Sequence, residues 1–190
     1  MRGEWCYYKQ YFTKQQCENI ITEGLKLPGQ KANLGVDGLA GNDDYRKSTV
    51  HFIRREHKNF DWLFDSMWKL AIESNDQWFG FHLSKIDYIQ LAEYDSAIEG
   101  EYKKHHDVFW LNSDKNYHRK LSAVIQLSDP NDYDGGDLVL YPQQESPSSF
   151  EIKTQGSVIL FPSFIEHQAN KVTRGKRYSL ACWFDGPKWR

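Results

Sequence analysis

Two histidines and one aspartate in this chain have the residue types of a metal-binding triad. His105 and Asp107 are two positions apart, and His167 follows much later in the sequence. If the first pair lies on a β-strand, both side chains point to one face, and the intervening His106 points to the other. Imidazole nitrogens and a carboxylate oxygen suit iron(II) as well as zinc, and three protein ligands leave coordination positions open on iron. The sequence therefore predicts a metal site at His105, Asp107 and His167.

An arginine ten residues after His167 extends this constellation. The guanidinium of Arg177 presents a planar fork that matches a carboxylate with two hydrogen bonds. Ser179 shares a strand face with Arg177 and can add a hydroxyl donor. The alternative is an ordinary arginine at a strand end, but a buried arginine would need an anionic partner. We expect Arg177 and Ser179 to hold the far carboxylate of a dicarboxylic ligand.

Two helices are predicted in the first 74 residues of the chain. Apolar residues at helical spacing predict the first helix over residues 13–27, with Thr13 as its N-cap. An apolar stripe predicts a second helix over residues 60–74, with Asn59 or Asp61 as its cap. The stripe is interpreted as core packing.

The segment between these helices has the composition of a loop. Residues 29–44 contain four glycines and little periodic apolar content, which predicts a mobile loop. This loop is either a lid over the site or a plain surface loop. Residues 45–52 are predicted to return as a strand.

From residue 84 onward, apolar residues recur with the period of a strand in eight short segments. No predicted helix separates these segments, which argues against a parallel sheet and favours a mainly β sandwich or barrel. We expect a jelly roll with the N-terminal helices packed on one sheet. No linker divides the chain, so we expect one domain, with helical support over about 1–80 and a β core over about 84–187. The predicted strands are 84–94, 103–110, 120–128, 137–141, 149–153, 157–161, 167–173 and 178–184.

Composition limits the classes of function. The chain has 190 residues and a net charge of −2, without a basic stripe, so nothing indicates nucleic-acid binding by bulk electrostatics. Cys6, Cys17 and Cys182 form no CxxC pair, which predicts a reduced, cytosolic protein. The sequence has neither an apolar signal core nor an apolar run of the ~20 residues that span a membrane. We therefore expect no membrane association.

The motifs between about residues 86 and 187 follow one another in a specific order. They are Gln90-Leu91-Ala92-Glu93-Tyr94, Gly100, Tyr102, His105-His106-Asp107, Arg119-Lys120-Leu121-Ser122, Gln126-Leu127-Ser128-Asp129, Tyr133-Asp134-Gly135-Gly136-Asp137-Leu138, Leu160-Phe161-Pro162-Ser163, His167, Val172-Thr173-Arg174-Gly175, Arg177-Tyr178-Ser179-Leu180 and Trp183. With this set, the chain resembles the 2-oxoglutarate- and iron(II)-dependent dioxygenases of the prolyl 4-hydroxylase-like branch, above all the small microbial PKHD-type hydroxylases. Upstream, Arg46-Lys47-Ser48 resembles a strand of the same family.

The resemblance implies a fold, a set of cofactors and a site. The fold is the double-stranded β-helix, a distorted, cupin-like jelly roll, which agrees with the strand pattern. The cofactors and co-substrates are Fe(II), 2-oxoglutarate and O2, and the resemblance admits ascorbate as a reductant. By position, His105, Asp107 and His167 would be the iron ligands and the catalytic centre. The residues that would bind 2-oxoglutarate or line its pocket are Arg177, on the distal carboxylate, with Ser179, Tyr94 and Gln90.

Several other residues are interpreted more modestly. Tyr102 is a weaker candidate for the pocket. Trp183 could belong to the pocket wall, but a packed core tryptophan is the preferred interpretation. Asp137 is interpreted as a turn residue. The remaining histidines lack the spacing of a site and are interpreted as surface or core residues: His51, His57, His82 and His118.

The activity that the resemblance implies is hydroxylation of a prolyl residue in a protein or peptide, with succinate and CO2 as co-products. Three alternatives remain. The substrate could be a free amino acid or another small molecule. The chain could be a non-enzymatic jelly-roll module that binds metal. Nucleic-acid demethylation is disfavoured, because the run Thr173-Arg174-Gly175-Lys176-Arg177-Tyr178-Ser179 does not match the RxNxTxR-like pattern of that class. The sequence leaves the substrate and the oligomeric state open.

Overall fold

The computed structural model describes residues 1–32, 45–108 and 116–189, and strands predominate in them. The strands are β1 (Cys6–Tyr8), β2 (Gly29–Lys31), β3 (Arg46–Lys47), β4 (Thr49–Arg54), β5 (Tyr88–Asp95), β6 (Glu101–His105), β7 (Tyr117–Gln126), β8 (Tyr133–Gly135), β9 (Leu138–Leu140), β10 (Val158–Pro162), β11 (His167–Ala169) and β12 (Val172–Pro187). The helices are α1 (Lys14–Gly24), α2 (Asp61–Ser74) and α3 (Ser149–Ile152), with short 3-10 helices at Lys58–Phe60 and Ser96–Ile98 and a π-helical turn at Asn75–Phe79.

The strands form two antiparallel sheets. In the larger sheet the order is β1-β10-β7-β12-β5-β4-β2, and β8 pairs with β12 beside this path. In the smaller sheet the order is β3-β6-β11-β9. Early strands complete both sheets, because β1 pairs with β10, β4 with β5, and β3 with β6.

The helices α1 and α2 pack against one face of the larger sheet. Ile20 of α1 and Leu63 of α2 belong to the same buried cluster as Leu91 of β5 and Leu180 of β12. The approach is close: a Cβ atom on Gly24 of α1 would lie 2.6 Å from Leu91 Cδ2. Each fully buried leucine contributes about 1.5–3 kcal/mol to folding. The predicted packing of the N-terminal helices on one sheet is confirmed.

Both long helices occur where the sequence predicts them, although their first and last residues differ in part from the predicted ones. Helix α1 begins after Thr13, whose hydroxyl accepts a hydrogen bond from the Gln16 N–H, while the Gln16 side chain accepts one from the Thr13 N–H. Helix α2 begins at Asp61, and Phe60 is its N-cap without a side-chain hydrogen bond. The predicted cap at Asn59 or Asp61 is therefore wrong, because the preceding 3-10 helix leads directly into α2.

The strand predictions contain two clear errors. Residues 149–153 are predicted as a strand, but they contain helix α3. Phe150 and Ile152 imitate strand alternation, yet Phe150 is 84% exposed and only Ile152 is buried. Strand β8 is not predicted, because its sequence Tyr133-Asp134-Gly135 resembles a turn.

The predicted loop over residues 29–44 begins as a strand instead. Gly29–Lys31 is β2, which pairs with β4 at the edge of the larger sheet. The remainder of that prediction, residues 33–44, lies outside the described residues. The predicted strand over 45–52 is divided into β3 and β4, which belong to different sheets.

Two observations concern the predictions of reduced cysteines and of no membrane span. Cys6, Cys17 and Cys182 are free and buried. Within the described ranges, no helix is long and apolar enough to cross a membrane. The cytosolic location stays a prediction.

The capping of α1 can be tested by replacing Thr13. We expect Thr13→Ala to lower the free energy of unfolding by about 1 kcal/mol, because an orphan N–H of the first turn loses its acceptor. Urea denaturation measures the change. Thr22→Ala, at an exposed position of the same helix, is the control and should cause no loss. Equal stability of Thr13→Ala and the wild type would contradict a capping role.

Candidate functional site

A cavity of about 250 Å³ is lined by residues of both sheets. Side chains alternate along a strand, so every second residue of two neighbouring strands faces this cavity. The facing residues are Tyr88, Gln90, Ala92 and Tyr94 on β5, and Arg177, Ser179, Ala181 and Trp183 on β12. The intervening residues Ile89 and Leu91 belong to the core beneath the helices. The strand period therefore separates the cavity wall from the apolar core.

The three predicted metal-binding residues meet at one end of this cavity. His105 is the last residue of β6 and lies opposite His167, the first residue of β11, in the antiparallel register. Asp107 follows two residues after β6. Its Oδ1 is 3.8 Å from His105 Nε2, and its Oδ2 is 3.6 Å from His167 Nε2. One ligand atom from each residue lies within 4.8 Å of the others.

The position of Asp107 has a different cause from the predicted one. The argument from strand parity is wrong, because β6 ends at His105 and Asp107 is not on a strand. Instead, the Asp107 N–H donates to the Ser163 carbonyl at 2.8 Å, and the Ser122 hydroxyl donates to Asp107 Oδ2 at 2.7 Å. His106 is exposed at the edge of the cavity and does not belong to the cluster of ligand atoms.

Hydrogen bonds fix both imidazoles in the form that binds metal. His105 Nδ1 lies 2.8 Å from the Lys103 carbonyl, and His167 Nδ1 lies 3.0 Å from the Ile165 carbonyl. Because a carbonyl only accepts, each Nδ1 carries a proton, and in the neutral imidazole this tautomer leaves the Nε2 lone pair for a metal ion. The Tyr102 ring stacks on His105, with 3.4 Å between ring centroids. Two Nε2 atoms and one carboxylate form a donor set that fits a divalent metal ion.

The local electrostatics favour the protonation states that bind metal. Burial alone would raise the pKa of Asp107, but the electrostatic interactions with His167, His105 and Arg119 and the hydrogen bond from Ser122 outweigh it and hold the pKa below its usual value. Burial, assisted by His167, lowers the pKa of His105 to about 3. At neutral pH the carboxyl group is therefore ionised and the His105 imidazole is neutral.

Arg177 lies further along the same cavity and is only 2% exposed. Its Nε donates to Gln126 Oε1 at 3.2 Å, and its guanidinium lies 5.4 Å from the centroid of the Tyr94 ring. Among the described residues, no carboxylate lies within ion-pair distance of this guanidinium. A buried charge without a counter-ion is costly, so the site fits an anionic ligand. Ser179 shares the strand face of Arg177, as predicted.

The remaining predicted pocket residues also face the cavity. Gln90 and Tyr94 are each 5% exposed and line the wall, and Tyr102 lines it beside His105. Trp183 is buried and lines the cavity as well, so the preference for a plain core tryptophan is wrong. Its Nε1 has no hydrogen-bond partner among the described residues.

The structure adds residues to which the sequence analysis assigns no role in the site. Ser122 and Ser163, both 0% exposed, form a hydroxyl pair at 2.9 Å beside Asp107. Arg119 lies 3.8 Å over the Trp183 ring and donates to the Tyr88 hydroxyl at 2.7 Å. The pairing of β7 with β12 is the signal that indicates Ser122, because this register places Ser122 directly opposite Trp183.

The other histidines and Asp137 lie outside the metal cluster. His51 Nδ1 contacts the Leu27 carbonyl at 2.8 Å, and His82 is exposed. His57 Nδ1 accepts the Arg54 N–H, and His118 is buried. Asp137 follows two glycines with positive φ and forms an ion pair with Lys153 at 3.1 Å.

Comparison with known proteins identifies the class to which this site belongs. The profile described as the 2OG-Fe(II) oxygenase superfamily matches residues 89–185, which include the three candidate ligands and Arg177. The chain belongs to this superfamily, whose name states its use of 2-oxoglutarate and Fe(II). A PKHD-type hydroxylase of Pseudomonas putida is 42% identical to this chain over 64 residues, which are 33% of this chain and 27% of the relative. The alignment thus covers about a quarter of the length of that curated relative.

Solved structures agree on the fold. A prolyl-4-hydroxylase of Pseudomonas putida superposes with a TM-score of 0.71 at 20% identity, covering 95% of this chain and 91% of that one. A prolyl hydroxylase from Trichoplax adhaerens, solved with a hypoxia inducible factor peptide fragment, gives a TM-score of 0.69 at 19% identity, covering 95% and 83%. At these identities the similarity concerns the fold. The predicted fold class, a double-stranded β-helix with N-terminal helices, is confirmed.

The hydroxyl of Ser122 provides a test of how Asp107 is held. We expect Ser122→Ala to weaken metal affinity by about tenfold to 100-fold, because the carboxylate loses the partner that orients it. Competition with a chromogenic chelator measures this affinity. Ser66→Ala is the control, because it removes a similar hydroxyl bond, to the Trp62 carbonyl of α2, away from the site. Unchanged metal affinity in Ser122→Ala would contradict an orienting role.

Proposed function

We propose that this protein is an iron(II)- and 2-oxoglutarate-dependent hydroxylase that acts on a prolyl residue of a protein or peptide and releases succinate and CO2. One observation carries the proposal. A cluster of two imidazoles and one carboxylate shares a cavity with a buried arginine for which the described residues supply no carboxylate partner. A 2-oxo dicarboxylic acid complements this pair of sites, because it has metal-chelating groups at one end and a carboxylate at the other.

In this proposal, His105, Asp107 and His167 hold Fe(II). Iron bound there would supply the chemistry that activates O2 at the expense of 2-oxoglutarate. The chain itself contributes the geometry: the paired strands β6 and β11 fix the two imidazoles, and Ser122 fixes the carboxylate. Ascorbate as a reductant is part of the same proposal.

Arg177 binds the distal carboxylate of 2-oxoglutarate in this proposal. Its burial excludes water and strengthens the ion pair, since an interaction between charges gains as the local dielectric falls. Ser179 adds a hydroxyl donor on the same strand face, and Gln90 and Tyr94 form the adjoining wall. These four residues limit the ways in which the co-substrate can lie.

The substrate side of the cavity is assigned to the aromatic wall near Trp183 and Tyr88. The two rings meet edge to face, with 5.7 Å between centroids. Flat rings pack well on the faces of a proline ring. The names of the PKHD-type relative and the prolyl hydroxylase neighbours support the same choice.

We further propose that residues 1–190 act as one domain. The strands β1 and β4 come from the N-terminal part, yet they pair with β10 and β5 of the later part. Separating the two parts would expose unpaired strand edges, which favour aggregation.

The metal ligands can be tested by substitution. We expect His105→Ala, Asp107→Ala and His167→Ala each to abolish succinate formation from 2-oxoglutarate, because two protein ligands hold iron weakly. His106→Ala is the matched control and should retain most of the turnover and of the bound iron. Loss of iron in His106→Ala, with retention in His105→Ala, would refute the proposed ligand set.

The substrate class requires a separate experiment. Succinate release is measured with proline-containing peptides and with free amino acids, and mass spectrometry searches each product for the gain of one oxygen atom. We expect turnover with peptides. Turnover with free amino acids alone would favour the small-molecule alternative. If the protein binds iron but no substrate stimulates decarboxylation, the non-enzymatic alternative is favoured.

A further inference from the structure

A chain of buried polar groups lies behind Arg177. The guanidinium Nε donates to Gln126 Oε1 at 3.2 Å, and Gln126 Nε2 donates to the Tyr133 hydroxyl at 2.8 Å. Arg177, Gln126 and Tyr133 are 2%, 4% and 1% exposed. Because water has little access to them, these groups satisfy one another, and breaking one contact leaves a buried polar atom without a partner.

The backbone of the β8–β9 turn holds this chain of groups from the side. Gly136 has a φ of +64°, and a Cβ atom there would lie 2.9 Å from Arg177 Cδ and 3.3 Å from Tyr133 Cε2. On the other side, Lys153 Nζ lies 4.7 Å from the centroid of the Tyr133 ring and donates to the Gly135 carbonyl. The second glycine of the turn therefore does more than reverse the chain, because it leaves room for the arginine stem.

The free space around Arg177 is strongly unequal on its two sides. On the side of Gln126 and Tyr133 the cavity measures about 10 Å³, roughly the space of one water molecule. On the other side lies the cavity of about 250 Å³ that contains the candidate metal ligands. A ligand carboxylate must therefore approach from the large cavity, while Gln126 occupies the Nε–H and leaves other N–H groups of the fork for the ligand.

The amide of Gln126 is suited to this position because it carries no charge. An amide oxygen orients the guanidinium without neutralising it, whereas a carboxylate there would form an ion pair with Arg177 and compete with the ligand. We infer that Gln126 and Tyr133 are positioning residues that aim Arg177 and thereby set the preference of the site for a keto acid with a second carboxylate. The inference rests on the proposed function and extends it to residues that do not line the ligand cavity.

The test measures selectivity at equilibrium, without turnover. Isothermal titration with Mn(II) in place of iron gives the Kd values for 2-oxoglutarate and for 2-oxopentanoate, which has a methyl group where the distal carboxylate would be. We expect wild-type protein to prefer 2-oxoglutarate strongly. In Gln126→Met this preference should fall about tenfold, the effect of losing one hydrogen bond to a charged group. In Gln126→Glu it should nearly vanish.

Two further variants complete the design. Tyr133→Phe removes the hydroxyl that accepts from Gln126 and that also interacts with the Arg177 guanidinium, and it should also reduce the preference. Gln155→Glu is the matched control, because the side chain of Gln155 donates to the Leu127 carbonyl and does not contact Arg177. It should keep the wild-type preference. The Kd of 2-oxopentanoate should change little in every variant, which separates a positioning role from general damage.

The outcomes distinguish the inference from the proposed function. If the wild type binds both keto acids equally, the assignment of 2-oxoglutarate fails, and the inference fails with it. If Arg177→Met loses the preference but both Gln126 variants retain it, only the positioning role is refuted. An equal loss of affinity for both keto acids in Gln126→Met also refutes that role. If circular dichroism finds Gln126→Glu unfolded, Gln126→Met and Tyr133→Phe decide the question by the same criteria.

Discussion

The pairing of β6 with β11 is the contact on which the candidate site depends. It places His105 directly opposite His167 across an antiparallel ladder, so backbone hydrogen bonds set the distance between the two imidazoles. Asp107 then needs only two contacts to complete the cluster, one from its own N–H and one from Ser122. Because paired strands and hydrogen bonds hold the three candidate ligands, little conformational entropy would remain to be lost on binding a metal ion.

A second constraint is the alternation of side chains along β5 and β12. One face of these strands supplies leucine and isoleucine to the core under α1 and α2, and the other face supplies the polar wall of the cavity. A register slip of one residue would exchange the two faces and bury Arg177 among the helices. The apolar core thus stabilises the fold and also fixes which residues can reach a ligand.

Much of this arrangement could be predicted, and the errors have physical causes. The residue types of His105, Asp107, His167 and Arg177 indicate their chemistry, and the period of β12 places Ser179 and Trp183 beside Arg177. The predicted reason for the convergence of His105 and Asp107 is nevertheless wrong, because β6 ends at His105 and contacts with Ser163 and Ser122 hold Asp107 beyond it.

The contacts that sequence could not predict are those between residues far apart in the chain. Strand β8 was missed because glycine and aspartate suit a turn as well as a short paired segment, and only pairing with β12 makes it a strand. Helix α3 was read as a strand because Phe150 alternates with Ile152, although no sheet partner exists for it among the described strands. Gln126 and Tyr133 occur in the motifs of the resemblance, but nothing local indicates a role for them, since their effect on Arg177 depends on tertiary packing.

The place of β12 in the larger sheet has a consequence for how the protein folds. This strand comes late in the sequence but lies at the centre of the sheet, between β7 and β5. Its neighbours are therefore synthesised long before it, and they remain unpaired along one edge until it arrives. Chains dominated by such non-local pairings fold slowly, in milliseconds to seconds for small domains. The cavity wall on β12 forms only when this strand is inserted between β7 and β5, so a nascent chain lacks the complete candidate site until then.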